Sequence, residues 1–125
     1  MYEYHGWVEL SSAIDLEQTD PAVNQVRARL AEAGKQIAGW FDVRWTSNGG
    51  VVAVVHGFSR IWKPGVIEVF EWFAAEFPKA YGLLYVNDGD AGHDWTVYRL
   101  ARGQVREFPD PFLSPHPCTL EHAKE

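Results

Sequence analysis

The alternation of apolar and polar positions predicts several β-strands along this chain. Residues 2–10 alternate loosely and predict a first strand. The segment WFDVRW places Phe41, Val43 and Trp45 on one face and two charged residues on the other. It is followed by TSNGG, which supplies the left-handed conformations of a tight hairpin before VVAVVHG. Three later segments predict further strands: YGLLYV, WTVYRLA and VREF. The residues ARGQ predict a tight turn between the second and the third of them.

Two stretches instead show helical spacing. Asp20 and Pro21 mark a helix start. The carboxylate can cap free backbone N–H groups, and proline is tolerated at the first helical position because an N–H there would have no partner within the helix. The apolar residues of this helix, which should end near Gly39, are Val23, Val26, Leu30 and Ile37. A second helix starts at Pro64 and ends before Pro78. Its apolar stripe consists of Ile67, Phe70, Ala74 and Phe77, and a second stripe consists of Glu68, Glu71 and Ala75.

The resulting element order is β-α-β-β-α-β-β-β, within a single domain that spans residues 1–125. Short connections between segregated strands and helices favour an α+β fold, with an antiparallel-rich sheet and both helices on one face. The C-terminal segment that begins at Phe108 contains four prolines in the ten residues from Pro109. We therefore expect this segment to be an extended strap rather than a strand or a helix.

The charge of the chain favours a basic partner. Seventeen acidic residues against eleven basic ones give a net charge of −6. The segment 63–94 contains six acids and two bases, a charge of −4, and so carries most of this excess. Negative charge disfavours contact with nucleic acid and with anionic membranes. A small basic and aromatic spot on the last hairpin is a minor alternative for RNA stacking: Arg99, Arg102, Arg106, Tyr98 and Phe108.

Three features favour a cytoplasmic protein. The single cysteine, Cys118, excludes an internal disulfide. The first residues, MYEYHGWVEL, lack the basic and apolar segments of a secretory leader. The longest run of β-branched and alanine residues, VVAVV, is far shorter than the roughly 20 apolar residues that span a bilayer.

The acidic loop after YGLLYV is the most distinctive candidate site. Asp88, Asp90 and Asp94 offer the oxygen ligands that calcium prefers. A calcium-binding EF-hand loop would, however, need another polar ligand where Gly92 stands and a glutamate where Arg99 stands. Zinc-type ligands in the tail, His116, Cys118 and His122, likewise lack a fourth group at a known spacing. We therefore expect no metal and no cofactor.

The residues that could form a catalytic site also have ordinary structural explanations. Glu68 and Glu71 lie three apart on a helix, where an acid–base pair is chemically feasible but a solvated helix face is the more common arrangement. No nucleophile elbow surrounds any serine. A small hydrolase-like enzyme would use His93 or His116 as its base, and a deep pocket joining a histidine to a carboxylate would identify it. We assign no catalytic residue.

Four segments in order resemble the immunity protein 7 family of bacterial polymorphic-toxin systems: YEYHGW, FPKAYGLLYVNDGD, WTVYRLARGQV and DPFLSP. The resemblance extends from Tyr2 to about Glu121. Compared with the family pattern, the acidic run is shorter, and His116 stands directly after LSP, where the family has its cysteine. The resemblance implies a cytosolic α+β protein that binds and neutralises a toxin and catalyses no reaction.

Charge and resemblance together suggest a partner-binding surface. Many toxins that need a dedicated inhibitor attack nucleic acid through a basic cleft, which an acidic protein can occupy. The partner is then a cognate toxin domain, and neither nucleic acid nor a membrane is expected to bind. A general module for another basic protein is the alternative, and oligomeric state is not readable from the sequence. The expected toxin-contacting residues are Glu68, Glu71, Asp88, Asp90, His93 and Asp94.

Overall fold

The computed structural model describes residues 2–14, 19–35, 39–45, 50–60, 65–89, 92 and 94–117. Within these ranges it contains two α-helices and six strands. The helices are α1 (Thr19–Gly34) and α2 (Gly65–Glu76). The strands are β1 (Tyr2–Glu9), β2 (Trp40–Trp45), β3 (Val51–Ser59), β4 (Tyr81–Asp88), β5 (Trp95–Ala101) and β6 (Gln104–Asp110).

All six strands join one antiparallel sheet in the order β2-β3-β1-β4-β5-β6. The first strand of the chain therefore lies in the centre, between β3 and β4. It connects a β2–β3 hairpin on one side to a β4–β5–β6 meander on the other. The predicted element order and the α+β class are confirmed.

Both helices pack on one face of this sheet and enclose a single core. From α1 the fully buried residues include Val23 and Val26, and from α2 they include Phe70 and Phe73. Alternation along β1 directs Tyr4, which is 1% exposed, into the same core. We call the other side of the sheet, which neither α1 nor α2 covers, the open face.

The helices differ from the prediction in two respects. Helix α1 ends at Gly34 and does not reach Gly39; glycine costs about 1 kcal/mol relative to alanine within a helix, which favours an end here. Ile37 and Pro64 lie outside the described residues. The buried side of α2 is wider than the predicted stripe and also contains Val66, Val69 and Phe73.

Strands β4 and β6 extend beyond their predicted ends. Asp88 is the last residue of β4 and not a loop residue, because it pairs with Tyr2 of the central strand. Strand β6 continues through Pro109 to Asp110, although the prolines were expected to exclude this part from the sheet. An edge strand tolerates proline because one side of its backbone has no neighbour to bond.

The predicted turn between β5 and β6 is confirmed. Arg102 and Gly103 have positive φ values of 54° and 72°. Two consecutive left-handed residues characterise the two-residue hairpin loop whose twist matches that of its strands.

Candidate partner-binding surfaces

The acidic residues around the β4–β5 connection are held by a buried amide. Asn87 is 4% exposed, and its Nδ2 donates a hydrogen bond of 3.1 Å to the backbone carbonyl of Asp94. This bond holds the start of β5 against the end of β4, so that Asp88 and the exposed Asp94 lie at the same end of the sheet. Asp90 and His93 lie outside the described residues.

The two glutamates of α2 point into solvent at different distances from this end. Phe70 reaches Gly6 near the middle of the sheet, so the first turn of α2, with Glu68, lies over the half that ends at Asp88. Glu71 instead lines a hollow of about 400 Å³ together with the β5–β6 turn. That turn is separated from Asp94 by the length of β5, about 20 Å at 3.4 Å per residue. The structure therefore places Glu71 apart from Asp94.

Three of these carboxylates are available for an outside partner. Glu68, Glu71 and Asp94 are all exposed. In the described part of the chain, the ion pairs of acidic side chains involve other residues: Glu3, Glu32 and Asp42. Fixed negative charge that is not neutralised within the molecule can attract a basic surface.

The open face carries a second set of exposed side chains, which are mainly aromatic. Strand alternation and pairing place them on one surface, because residues that face each other across neighbouring strands point to the same side. The large exposed residues of this face are Trp7 (39%), Trp40 (52%), Phe58 (55%), Tyr81 (48%) and Phe108 (36%).

A hydrogen-bonded cluster of three histidines and one glutamate crosses the open face. The two carboxylate oxygens of Glu3 contact His5 Nε2 at 2.7 Å and His116 Nε2 at 2.8 Å. His5 Nδ1 in turn lies 2.9 Å from His56 Nδ1. The His56 ring stacks on Trp40 with a centroid distance of 5.7 Å. The cluster thus connects β1, β3 and the segment after β6, with β2 reached through the stack.

The short contact between His5 and His56 allows only one of them to be protonated on Nδ1. One nitrogen must donate and the other must accept, so the two rings cannot both carry a positive charge in this geometry. Burial, followed by the charge of His5, lowers the pKa of His56 below its ordinary value. Burial raises the pKa of Glu3, but hydrogen bonds to His116 and His5 and their charges outweigh it, so this pKa is lowered overall.

These shifts predict that the fold loses stability as the pH falls. Below about 6.5 the unfolded chain protonates His56 while the folded chain resists, so stability declines until the pH passes the lowered pKa. Glu3 adds stability above its unfolded pKa of about 4.5 and loses it only at lower pH. The free energy of unfolding, measured with urea, should therefore fall less between pH 7.5 and pH 5.5 for His56→Gln than for the unaltered protein. Equal losses in both proteins would contradict this assignment.

The segment after β6 covers one end of the open face. The backbone N–H of Trp95 donates to Ser114 Oγ at 2.7 Å, and the backbone N–H of Leu113 donates to Asp110 Oδ2 at 2.7 Å. The Trp95 ring lies 5.1 Å from the ring of His116 and is 4% exposed. Residues 110–116 thus bury the beginning of β5 and bring His116 to Glu3.

The pairing of His116 with Glu3 brings together the two groups that a histidine-based enzyme would require. Three hollows that described residues line are located elsewhere, at the β2 edge and beside the β5–β6 turn.

Among the described residues, no three His, Cys, Asp or Glu side chains are arranged to hold a metal ion. Cys118 and His122 lie outside those residues. The described part of the chain also has no helix with the length and apolar character of a membrane span.

Sequence reasoning did not find Asn87 or the contact between His5 and His56. Both histidines stand at positions that alternation directs away from the core, which was the available signal. Their contact depends on the pairing of β1 with β3, which lies about fifty residues away along the chain and cannot be read from either strand alone.

A comparison with protein families gives a nearly complete match. The model of the family described as immunity protein 7 matches residues 1–122. No curated protein and no solved structure matches the chain. The chain therefore belongs to the immunity protein 7 family, and this membership implies an immunity protein that acts against a toxin.

Proposed function

We propose that this protein neutralises its cognate polymorphic toxin by direct contact through an acidic surface and without catalysis. The family supplies the general function. The observation that supports this surface is that three of the candidate carboxylates, Glu68, Glu71 and Asp94, are exposed and have no ion pair in the described part of the chain. Asp88, Asp90 and His93 complete the proposed surface at the end of β4.

The form of this surface suits a basic toxin cleft. Asn87 holds the start of β5 against the end of β4, so the charges of Asp88 and Asp94 are presented at the same end of the sheet with little ordering cost. Long-range attraction between opposite charges speeds encounter and orients the partner. A secreted nuclease is the toxin class that best fits, because its substrate is a polyanion and its cleft is correspondingly basic.

Glu68 extends this surface along the side of α2, since the first turn of the helix lies over the same half of the sheet. Glu71 lies closer to the β5–β6 turn and is the peripheral member of the set. We therefore expect the contribution of these residues to toxin binding to fall from the aspartates to Glu68 and then to Glu71.

The direct test replaces the three aspartates at and after the end of β4 by their neutral amides, as Asp88→Asn, Asp90→Asn and Asp94→Asn; we call this the loop variant. Measured with the toxin encoded beside this gene, association should slow about tenfold at low salt, because three steering charges are lost. The difference should shrink as salt rises, because salt screens exposed charges.

A control variant with the same change in net charge separates the surface from the total charge. Asp20, Glu32 and Glu107 are exposed on α1 and β6, away from the β4–β5 connection. Neutralising these three should leave association nearly unchanged. If the loop variant inhibits as well as the original protein at every salt concentration, toxin binding does not use this surface.

A further inference from the structure

Strand β3 makes the open face of the sheet more apolar than regular alternation would. In an antiparallel sheet with one solvated face, strands alternate between apolar and polar residues. Strand β3 instead has apolar residues on both faces: Val51, Ala53 and Val55 towards the helices, and Val52, Val54 and Phe58 on the open face. Continuous apolar strands are typical of sheets that are covered on both sides.

Among the described residues, those after β6 cover the end of this face that contains Glu3 and Trp95. Strand pairing leaves three rows of residues beyond it. The first row runs Trp40, His56, His5, Tyr85, Val97, Phe108 from β2 to β6. The middle row runs Asp42, Val54, Trp7, Leu83, Arg99, Arg106, and the third runs Arg44, Val52, Glu9, Tyr81, Ala101, Gln104.

We infer that a second copy of this chain covers these rows and forms a symmetric dimer with its sheets face to face. A two-fold axis parallel to the strands, midway across the sheet, places β2 over β6 of the partner subunit. The same operation places β3 over β5 and β1 over β4. Sheets stacked in this way lie about 10 Å apart with their strands within about 30° of parallel.

The distribution of charge along the middle row favours this occupant. Its acid, Asp42, stands at the β2 end, and its two bases, Arg99 and Arg106, stand at the β5–β6 end. The two-fold axis reverses the order in the second copy, so Asp42 of each copy faces Arg106 of the partner subunit. Asp42 already accepts a hydrogen bond from Arg44, and an arginine of the partner subunit would approach the same exposed edge.

The apolar residues are complementary under the same operation. Trp7 on β1 comes to face Leu83 of the partner subunit, and Trp40 comes to face Phe108 of the partner subunit. Aromatic side chains at the centre of an interface, with charged residues at its rim, characterise stable protein contacts.

The size of the face is sufficient for a dimer. Six strands at roughly 4.8 Å each span about 29 Å, and three rows cover about 20 Å, so the flat outline is about 600 Å². Side chains that stand above the sheet add accessible area, which approaches the roughly 800 Å² per partner of a standard interface. The helices lie on the opposite side, so Glu68 and Glu71 stay exposed in the dimer. This inference is independent of the proposed toxin contact.

The test measures the mass of the full-length protein by light scattering and sedimentation equilibrium from about 1 to 100 μM. We expect twice the monomer mass for the unaltered protein. Trp7→Glu should raise the dissociation constant at least about thirtyfold, because it places a charge at the centre of the contact. Trp45→Glu is the matched control, since Trp45 is also half exposed (45%) but faces the helix side of β2. It should leave the dimer intact.

A charge exchange provides a second test that does not depend on Trp7. Asp42→Arg and Arg106→Asp should each weaken the dimer, and the two together should restore it at least in part, because each contact regains opposite charges. A monomer at 100 μM would overturn the inference. Loss of toxin inhibition in Trp7→Glu, with the unaltered protein monomeric, would assign the open face to the toxin and would equally overturn it.

Discussion

Replacing Phe70 by alanine is expected to lower the free energy of unfolding by about 3–5 kcal/mol, the usual cost of removing a buried phenylalanine. Phe70 is fully buried and meets the ring of Phe73 edge to face at a centroid distance of 6.3 Å. The tip of its ring also approaches Gly6 on the central strand, where the absence of a side chain leaves room for it. Phe70 therefore joins α2 to the middle of the sheet.

This cost is a large part of the 5–15 kcal/mol by which domains of this kind are stable. Urea unfolding at one fixed protein concentration should show a midpoint about 2 M lower. The matched control is Phe112→Ala, because Phe112 is 85% exposed and its loss should change stability by no more than about 0.5 kcal/mol. Equal midpoints for the two variants would show that Phe70 does not anchor the helix.

The elements of the fold were predictable because local patterns encode them. Alternation in β1 and β2 and helical spacing in α2 each follow from which face of an element is buried. Their boundaries were less predictable. Pairing with the central strand extends β4 to Asp88, and an edge position allows Pro109 inside β6, and neither influence is local in the sequence.

The sequence predicted the chemical character of the candidate site residues but not their positions relative to one another. The excess of acids between residues 63 and 94 identified Glu68 and Asp94 as exposed carboxylates, but the sequence did not separate Glu71 from them. The distance between Glu71 and Asp94 depends on how α2 crosses the sheet. The contact of His5 with His56 likewise exists only because β1 lies beside β3.

The two surfaces of this domain differ in the chemistry of recognition they favour. The carboxylates on α2 and at the β4–β5 connection act at a distance and depend on salt. The aromatic rows of the open face act only on contact, through burial of apolar area. The first kind suits encounter with a basic toxin in the proposed function, and the second kind suits the proposed contact between two copies.

Among substitutions that add a single methyl group, the largest loss of stability is expected at Gly82 of β4, which pairs with Val8 of β1. A Cβ atom at this position would overlap the carbonyl oxygen of Trp7 and lie 2.9 Å from both the carbonyl carbon of Trp7 and the Cα of Val8. All three are backbone atoms of the central strand, so no side-chain rotation can relieve the overlap. The strands must separate, and the hydrogen bonds between β1 and β4 must lengthen.

Gly82→Ala should therefore lower the free energy of unfolding by about 3 kcal/mol or more, as backbone strain and broken hydrogen-bond networks do. The comparison is Gly34→Ala, because the nearest heavy atom to an added Cβ there is 4.0 Å away and alanine is the better helix former. Gly34→Ala should leave stability unchanged or raise it by up to about 1 kcal/mol. Hydrogen exchange should show faster opening of β1 and β4 in Gly82→Ala, since these strands carry the strain. A Gly82→Ala protein as stable as Gly34→Ala would mean that β4 does not approach β1 this closely.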